Sequence, residues 1–160
     1  MKANFLSHVN SSNSTTIDKI ILSVGTNDIS RVKNVETLEN PLKDLITTMK
    51  TAYPSCDIFV QNLLPIRLKN YECEANFDIV NKVYAYNRLL FKLCKSFNLY
   101  YIDVFKSFRS EGKPGERGIR NDLYKSASNV HLNYKGLGVL ARRFIYIINK
   151  HSWDFHPTMF

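Results

Sequence analysis

The chain has only three cysteines in 160 residues, Cys56, Cys73 and Cys94, too few and too widely spaced to staple a fold. They form no Cys-x-x-Cys pair, so they read as reduced thiols in a reducing compartment. Long apolar runs are also missing. Nothing approaches the roughly 20 consecutive apolar residues of a membrane span, which excludes a spanning helix, and no membrane partner is expected. The first sixteen residues, Met1 to Thr16, are polar and rich in Ser and Asn. They lack the apolar centre of a signal peptide, so a cytoplasmic or otherwise intracellular protein is expected. Without an export signal, the sequons Asn10-Ser11-Ser12 and Asn13-Ser14-Thr15 carry little weight. His8, His131, His151 and His156 lack ligand spacing, with His151 and His156 in a frayed tail. Gly112-Lys113-Pro114-Gly115 is no P-loop, because no Gly-Lys-Ser/Thr follows a strand. No metal and no cofactor is therefore expected.

Acidic residues are scarce: 14 Asp and Glu face 22 Lys and Arg, a net charge of +8. The excess is uneven. From Arg109 to Lys150 nine Lys/Arg meet only Glu111, Glu116 and Asp122, which leaves +6. Such a segment favours acidic partners, nucleic acid among them, with Arg117, Arg120, Arg142 and Arg143 as candidate contacts. A merely solvated basic surface is the plainer reading of the same charges. The remaining composition, 44% hydrophobic and 22% charged, is that of a soluble globular chain, and the length suits one core. One domain over residues 1–160 is expected, with its core at about 18–150 and a tail at 151–160.

The pattern of elements is regular. Ile20 to Val24 are nearly all apolar, which suits a strand buried on both faces. Leu38, Leu42, Leu45, Ile46 and Met49 recur at helical spacing, and Pro54 ends that helix. A second strand is read at Asp57 to Leu63, stopped by Pro65. A long helix covers Asp78 to Phe97, with Ile79, Val83, Tyr86, Leu90, Leu93 and Phe97 on one face. Leu99 to Val104 form a third strand, and glycines at 112, 115 and 118 make a loop. The last helix spans about Tyr134 to Lys150, with Leu137, Leu140, Ala141, Phe144 and Ile148 inward. Strands alternating with helices predict an α/β fold with a parallel sheet.

Ligands of such sheets bind just beyond the carboxyl ends of the strands. The first strand ends there in Gly25-Thr26-Asn27-Asp28, where a Gly permits a tight turn and an Asn offers an N–H pair to an anion. About a hundred residues on, Ser128-Asn129-Val130-His131-Leu132-Asn133 precedes the last helix. Asn27 taken alone is a common turn residue, and His131 alone a structural histidine at a helix entry. Asn133 is placed to cap that helix.

In this order the two segments resemble the third and fifth conserved blocks of the SGNH (GDSL-type) hydrolase superfamily. Fainter echoes are Leu63-Leu64-Pro65, Tyr86-Asn87 and Tyr101-Ile102-Asp103. The resemblance covers about residues 18–148. It implies a flavodoxin-like, three-layer α/β/α fold, usually with five strands, of which the first two are absent here. The first legible strand would then lie next to an absent one, and residues 1–17 would match the helix before it, so the N-terminal boundary falls inside a domain. The resemblance also implies hydrolysis of carboxylic esters of acyl-ester substrates by a Ser-His mechanism. Asn27 would donate to the oxyanion and His131 would act as general base. Gly25 would allow close backbone approach, and Asp28 would tie the loop through backbone hydrogen bonds.

Three departures qualify that activity. The sequence contains no Gly-Asp-Ser, the block that carries the nucleophile. The second-block Gly has no clear counterpart. Ser128 stands where the family has its acid, and a hydroxyl carries no charge to stabilise an imidazolium; Asp122 and Asp103 are substitutes, Asp103 more as a loop anchor. Ser23 is read as pointing into packing, and Cys56 as lying at the wrong strand end, so neither replaces the nucleophile. Losing the nucleophile costs on the order of 10⁶-fold in a Ser-His-Asp enzyme. Three readings follow: an ester hydrolase whose Ser lies upstream, a non-catalytic nucleic-acid-binding domain of the kind found among relatives and in retroelement proteins, and a degenerate fragment.

Overall fold

The computed structural model describes residues 17–66, 74–109, 119–125 and 130–151. Three strands, β1 (Lys19–Leu22), β2 (Asp57–Gln61) and β3 (Tyr100–Ile102), form a parallel sheet in the order β1-β2-β3. Around it stand a short helix α1 (Thr26–Ile29), then α2 (Glu39–Ala52), α3 (Glu74–Phe97) and α4 (Tyr134–His151). The α/β/α layering expected from the sequence is present. The matching of residues 1–17 to a helix and the glycine loop at 112–118 lie outside the described residues, apart from Ile17.

Alternation along the strands sorts side chains to two faces. Register places Ile20 beside Ile58 and Leu22 beside Val60, with Val60 beside Tyr101. That face meets the buried stripe of α2 (Leu42, Leu45, Ile46, Met49) and of α3 (Val83, Tyr86, Leu90, Leu93) in the main core. The other face carries Ile21, Phe59 and Tyr100 in a row. Phe59 and Ile102 pack there against Ile147, with Leu140, Phe144 and Ile148 alongside.

Two local signals end the long elements. Pro41 in the first turn of α2 costs no helical bond, because the N–H it lacks would have no partner there. Asn98, at φ 53°, stops α3: its N–H reaches Lys95 O, and Leu99 N–H reaches Cys94 O at 2.8 Å. This is a left-handed helix stop with two nested bonds, and it aims the chain straight into β3.

Three expectations fail. The first strand is not buried on both faces: Ile21 is 39% exposed. Helix α4 covers the sheet over β2 and β3, held there by Arg143 Nε donating to Asp103 O at 3.0 Å, and its packing does not extend over Ile21. The inward face of α4 also differs. Leu137 and Ala141 are exposed, while Gly136 and Ile147 are buried. A Cβ at Gly136 would come closer than 3 Å to Leu123 O, so the glycine lets the helix press on that backbone and turns Leu137 outward. His151, placed by the sequence in a frayed tail, is the last residue of α4; its ring lies 4.8 Å from that of Tyr100.

Candidate functional site at the carboxyl end of the sheet

Three loops leave the carboxyl ends of the strands, and buried polar side chains fix each of them. The first is Gly25-Thr26-Asn27-Asp28. Gly25 adopts φ 112° and ψ −18°, a left-handed conformation that glycine accepts readily. Its carbonyl accepts from Asp28 N–H and Ile29 N–H, both at 3.0 Å, which winds α1. Tyr86, with no exposed surface, lies against Gly25, and its hydroxyl donates to Val24 O at 3.1 Å. A Cβ on Gly25 would overlap the Tyr86 ring and hydroxyl. Burial, helped by the Asp28 carboxylate, pushes the Tyr86 phenol far above its ordinary range, so it stays a neutral donor.

The second loop follows β2. Asn87, buried on α3, accepts from Leu63 N–H at 2.8 Å and donates to Leu63 O at 3.1 Å. A side-chain amide thus takes the place of a neighbouring strand. Tyr124 donates to Pro65 O at 2.6 Å and holds the far end of the same loop. The third loop follows β3. Asn62 donates to Asp103 Oδ1 at 2.9 Å and accepts from Val104 and Phe105 N–H. Asp103 also accepts from Phe105 N–H. Its carboxylate thus anchors the loop.

The segment carrying His131 is held from both sides. Tyr124 and Leu132 form an antiparallel bridge, Lys125 N–H donates to His131 O, and Asn133 N–H donates to Leu123 O. Asn133 caps α4 through Oδ1, which accepts from Gly136 N–H at 3.0 Å. Its amide also donates to Asp122 O and Tyr124 O. The Asp122 carboxylate lies 3.5 Å from Arg120.

Between these loops lies a cleft of about 170 Å³, lined by Ser23, Thr26, Gln61, Leu63, Leu64, Ile66, Val130 and Leu140. Its walls come from the ends of β1 and β2, from the segment before α4 and from α4 itself. Thr26 and Val130 are the chain neighbours of Asn27 and His131, so both sequence-nominated segments border one cleft. Asn27 and His131 are themselves solvent-exposed. Asn27 stands on α1, where its carbonyl accepts from Ser30 Oγ at 2.8 Å. Asp28 is half-buried, and it braces the loop by main-chain bonds: its N–H to Gly25 O, and its carbonyl from Arg31 N–H. Ser23 is exposed and lines the cleft, contrary to the expectation that it points into packing. Position 23 shares the sheet face of Ile21, the face of β1 that is exposed.

Sequence reasoning missed Gln61, Leu64, Ile66 and Leu140 as cleft walls. A polar Gln61-Asn62 pair closing an apolar strand was the available signal. Ser128 and Arg117 lie outside the described residues. Of the other basic candidates, Arg142 is exposed, Arg120 pairs with Asp122, and Arg143 bonds Asp103 O. Among the described residues no three His, Cys, Asp or Glu side chains are grouped to hold a metal ion, and no helix is long and apolar enough to cross a membrane.

Comparison with known proteins agrees with this fold. No curated protein matches the chain. The C-terminal domain of Drosophila Oskar superposes with a TM-score of 0.71 at 18% identity, over 93% of this chain and 70% of that one. A GDSL-like lipase from Bacteroides thetaiotaomicron gives 0.70 at 15% identity, over 94% and 72%. A member of the lipolytic G-D-S-L family from Veillonella parvula gives 0.69 at 18% identity, over 94% and 73%. At such identities these likenesses establish the fold, and the chain spans less than three quarters of each. The profile of the GDSL-like lipase/acylhydrolase family matches residues 3–138. The chain therefore belongs to the GDSL-like lipase/acylhydrolase family.

Proposed function

We propose that this domain receives the acyl part of an ester in the cleft beyond the strand ends. Asn27 supplies the N–H donor for a developing oxyanion, and His131 supplies the group that takes and returns a proton. The observation that carries the reading is the cleft itself: it is bordered by both of these segments, and its apolar wall of Leu63, Leu64, Ile66 and Leu140 suits a short acyl chain. Donors fixed in advance are worth most in catalysis. Here the Gly25 turn is clamped by Tyr86, and the His131 segment is pinned between Lys125 and Asn133.

These 160 residues contain no Gly-Asp-Ser. The reading therefore assigns them binding and charge stabilisation, and full turnover needs a nucleophile they lack in that form. Butyrate, the acid released from a butyryl ester, is the simplest probe. Calorimetric titration should detect butyrate binding that Asn27→Ala abolishes, while hydrolysis of p-nitrophenyl butyrate stays at background. Butyrate binding that Asn27→Ala leaves intact overturns the assignment of Asn27. Turnover well above background that Ser23→Ala removes overturns the division of labour, because a serine in the cleft would then be the nucleophile. Nucleic acid receives less support as a partner, since two of its candidate arginines are engaged within the fold.

A further inference from the structure

Helix α4 has two apolar faces. One packs on the sheet; the other faces solvent. Leu137 is 50% exposed, Ile145 59%, Tyr146 55% and Tyr134 94%. At 3.6 residues per turn, Leu137, Ala141 and Ile145 stand one above another, with Tyr134 a turn earlier on the same side. Beside this line stand Lys135 and Arg142, two turns apart on one side and both exposed. The helix contains no Asp or Glu. Its orientation is fixed from within the fold: Arg143 is tied to Asp103 O, and Gly136 is seated on Leu123. The apolar line is thus held outward by packing on the opposite side.

We propose that this face docks on an anionic lipid surface. An apolar line flanked by cations and by tyrosines at its ends matches a helix lying in a membrane interface, with apolar side chains below the headgroups and Lys and Arg among them. Charge complementarity selects this occupant. A second copy packed about a two-fold axis would set Lys135 and Arg142 against the same two residues, with no acid on the helix to offset them. Nucleic acid would reward the cations and a tyrosine, but gains nothing from a line of Leu137, Ala141 and Ile145. The expectation of no membrane partner rested on the lack of a spanning segment, and a helix lying on a surface does not need one. This inference does not depend on the cleft or on Asn27 and His131.

The test is flotation of the whole chain with vesicles of roughly one part phosphatidylserine to two parts phosphatidylcholine, and with phosphatidylcholine alone, at low salt. The chain should float with the mixed vesicles only. Arg142→Gln should weaken partition about fivefold, the value of one cation near an anionic surface. The pair Leu137→Gln and Ile145→Gln should weaken it at least about tenfold through lost apolar burial. Circular dichroism and melting of these surface variants should match the parent, which separates docking from folding. No flotation with the mixed vesicles overturns the proposal, as does flotation that the double variant leaves unchanged. Equal flotation with both vesicle types removes the anionic requirement. Binding of a single-stranded RNA, or a dimer that the double variant dissociates, with no vesicle binding in either case, assigns the face to that partner instead.

Discussion

Replacing Gly25 by alanine tests the turn at the centre of the candidate site. Alanine at φ 112° costs about 1–2 kcal/mol in left-handed strain. Its Cβ also overlaps the Tyr86 ring and hydroxyl. Tyr86 is fully buried and cannot swing into solvent, so the core shifts, at about 1–3 kcal/mol. If the ring moves, the bond from its hydroxyl to Val24 O is lost, for about 1 kcal/mol more. Together Gly25→Ala should destabilise by roughly 3–6 kcal/mol, a large share of the roughly 5–15 kcal/mol typical of a domain. Urea unfolding of a double-mutant cycle isolates the cause. Tyr86→Leu alone should cost about 2–4 kcal/mol through cavity formation. In that background the overlap is gone, and Gly25→Ala should cost only the strain, about 1–2 kcal/mol. Tyr86→Phe keeps most of the overlapping ring and should not relieve it. If Gly25→Ala costs the same in the Tyr86→Leu background as in the parent, the clamp does not exist. If it costs less than about 1 kcal/mol in both, the left-handed turn does not exist either.

Three further outcomes follow from the same structure. Asn87→Ala strips Leu63 N–H and C=O of their partners and should cost about 2–5 kcal/mol in urea unfolding, whereas Asn27→Ala, at the surface, should change stability by less than about 0.5 kcal/mol. Asn133→Ala removes the cap of α4 and two bonds to the Asp122 and Tyr124 carbonyls; a loss of about 1–3 kcal/mol is expected, with Asn133→Asp recovering the cap alone. Burial pushes the Cys94 thiol up to about 12, against about 8.5 in an unfolded chain. Below the unfolded value both states are protonated, and the contribution of Cys94 to stability is complete. As pH rises from there toward the folded value, only the unfolded chain releases its proton, and stability falls. The parent should therefore lose about 2 kcal/mol more than Cys94→Ala between about pH 8 and about pH 10. An equal pH dependence of the two proteins would refute the buried thiol.

The helices α2 and α3 were legible because their apolar residues recur at 3.6-residue spacing, and Pro54 marks the end of the first. The parallel sheet followed from the alternation of elements. The burial of β1 was not legible, since an apolar tetrapeptide reads alike whether one of its faces is covered or both. Ile21 shows the difference. The rotation of α4 was hidden because Gly136 carries no hydrophobic signal, although its lack of a side chain is what brings the helix onto Leu123. At the site, Gly25, Asn27 and His131 stood out as residue types at strand and helix ends. Tyr86 and Asn87 registered only as a faint family echo and Asn62 not at all, because their role is to pair with main chain far away in sequence: Tyr86 is 62 residues from Val24, Asn87 is 24 from Leu63, and Asn62 is 42 from Val104. No local pattern encodes such a pairing. Buried Asn beside Tyr on the inner face of an otherwise apolar helix was the one available sign.

The central claim is that the cleft holds an acyl group between the Asn27 and His131 segments. Nuclear magnetic resonance of labelled protein during titration with butyrate tests it most directly. The account predicts that the Asn27 side-chain amide and the His131 ring resonances move together, saturate at one concentration, and return on dilution, while resonances at the far end of the sheet stay in place. Movement confined to the lysines and arginines of α4, with Asn27 and His131 unmoved, would contradict it.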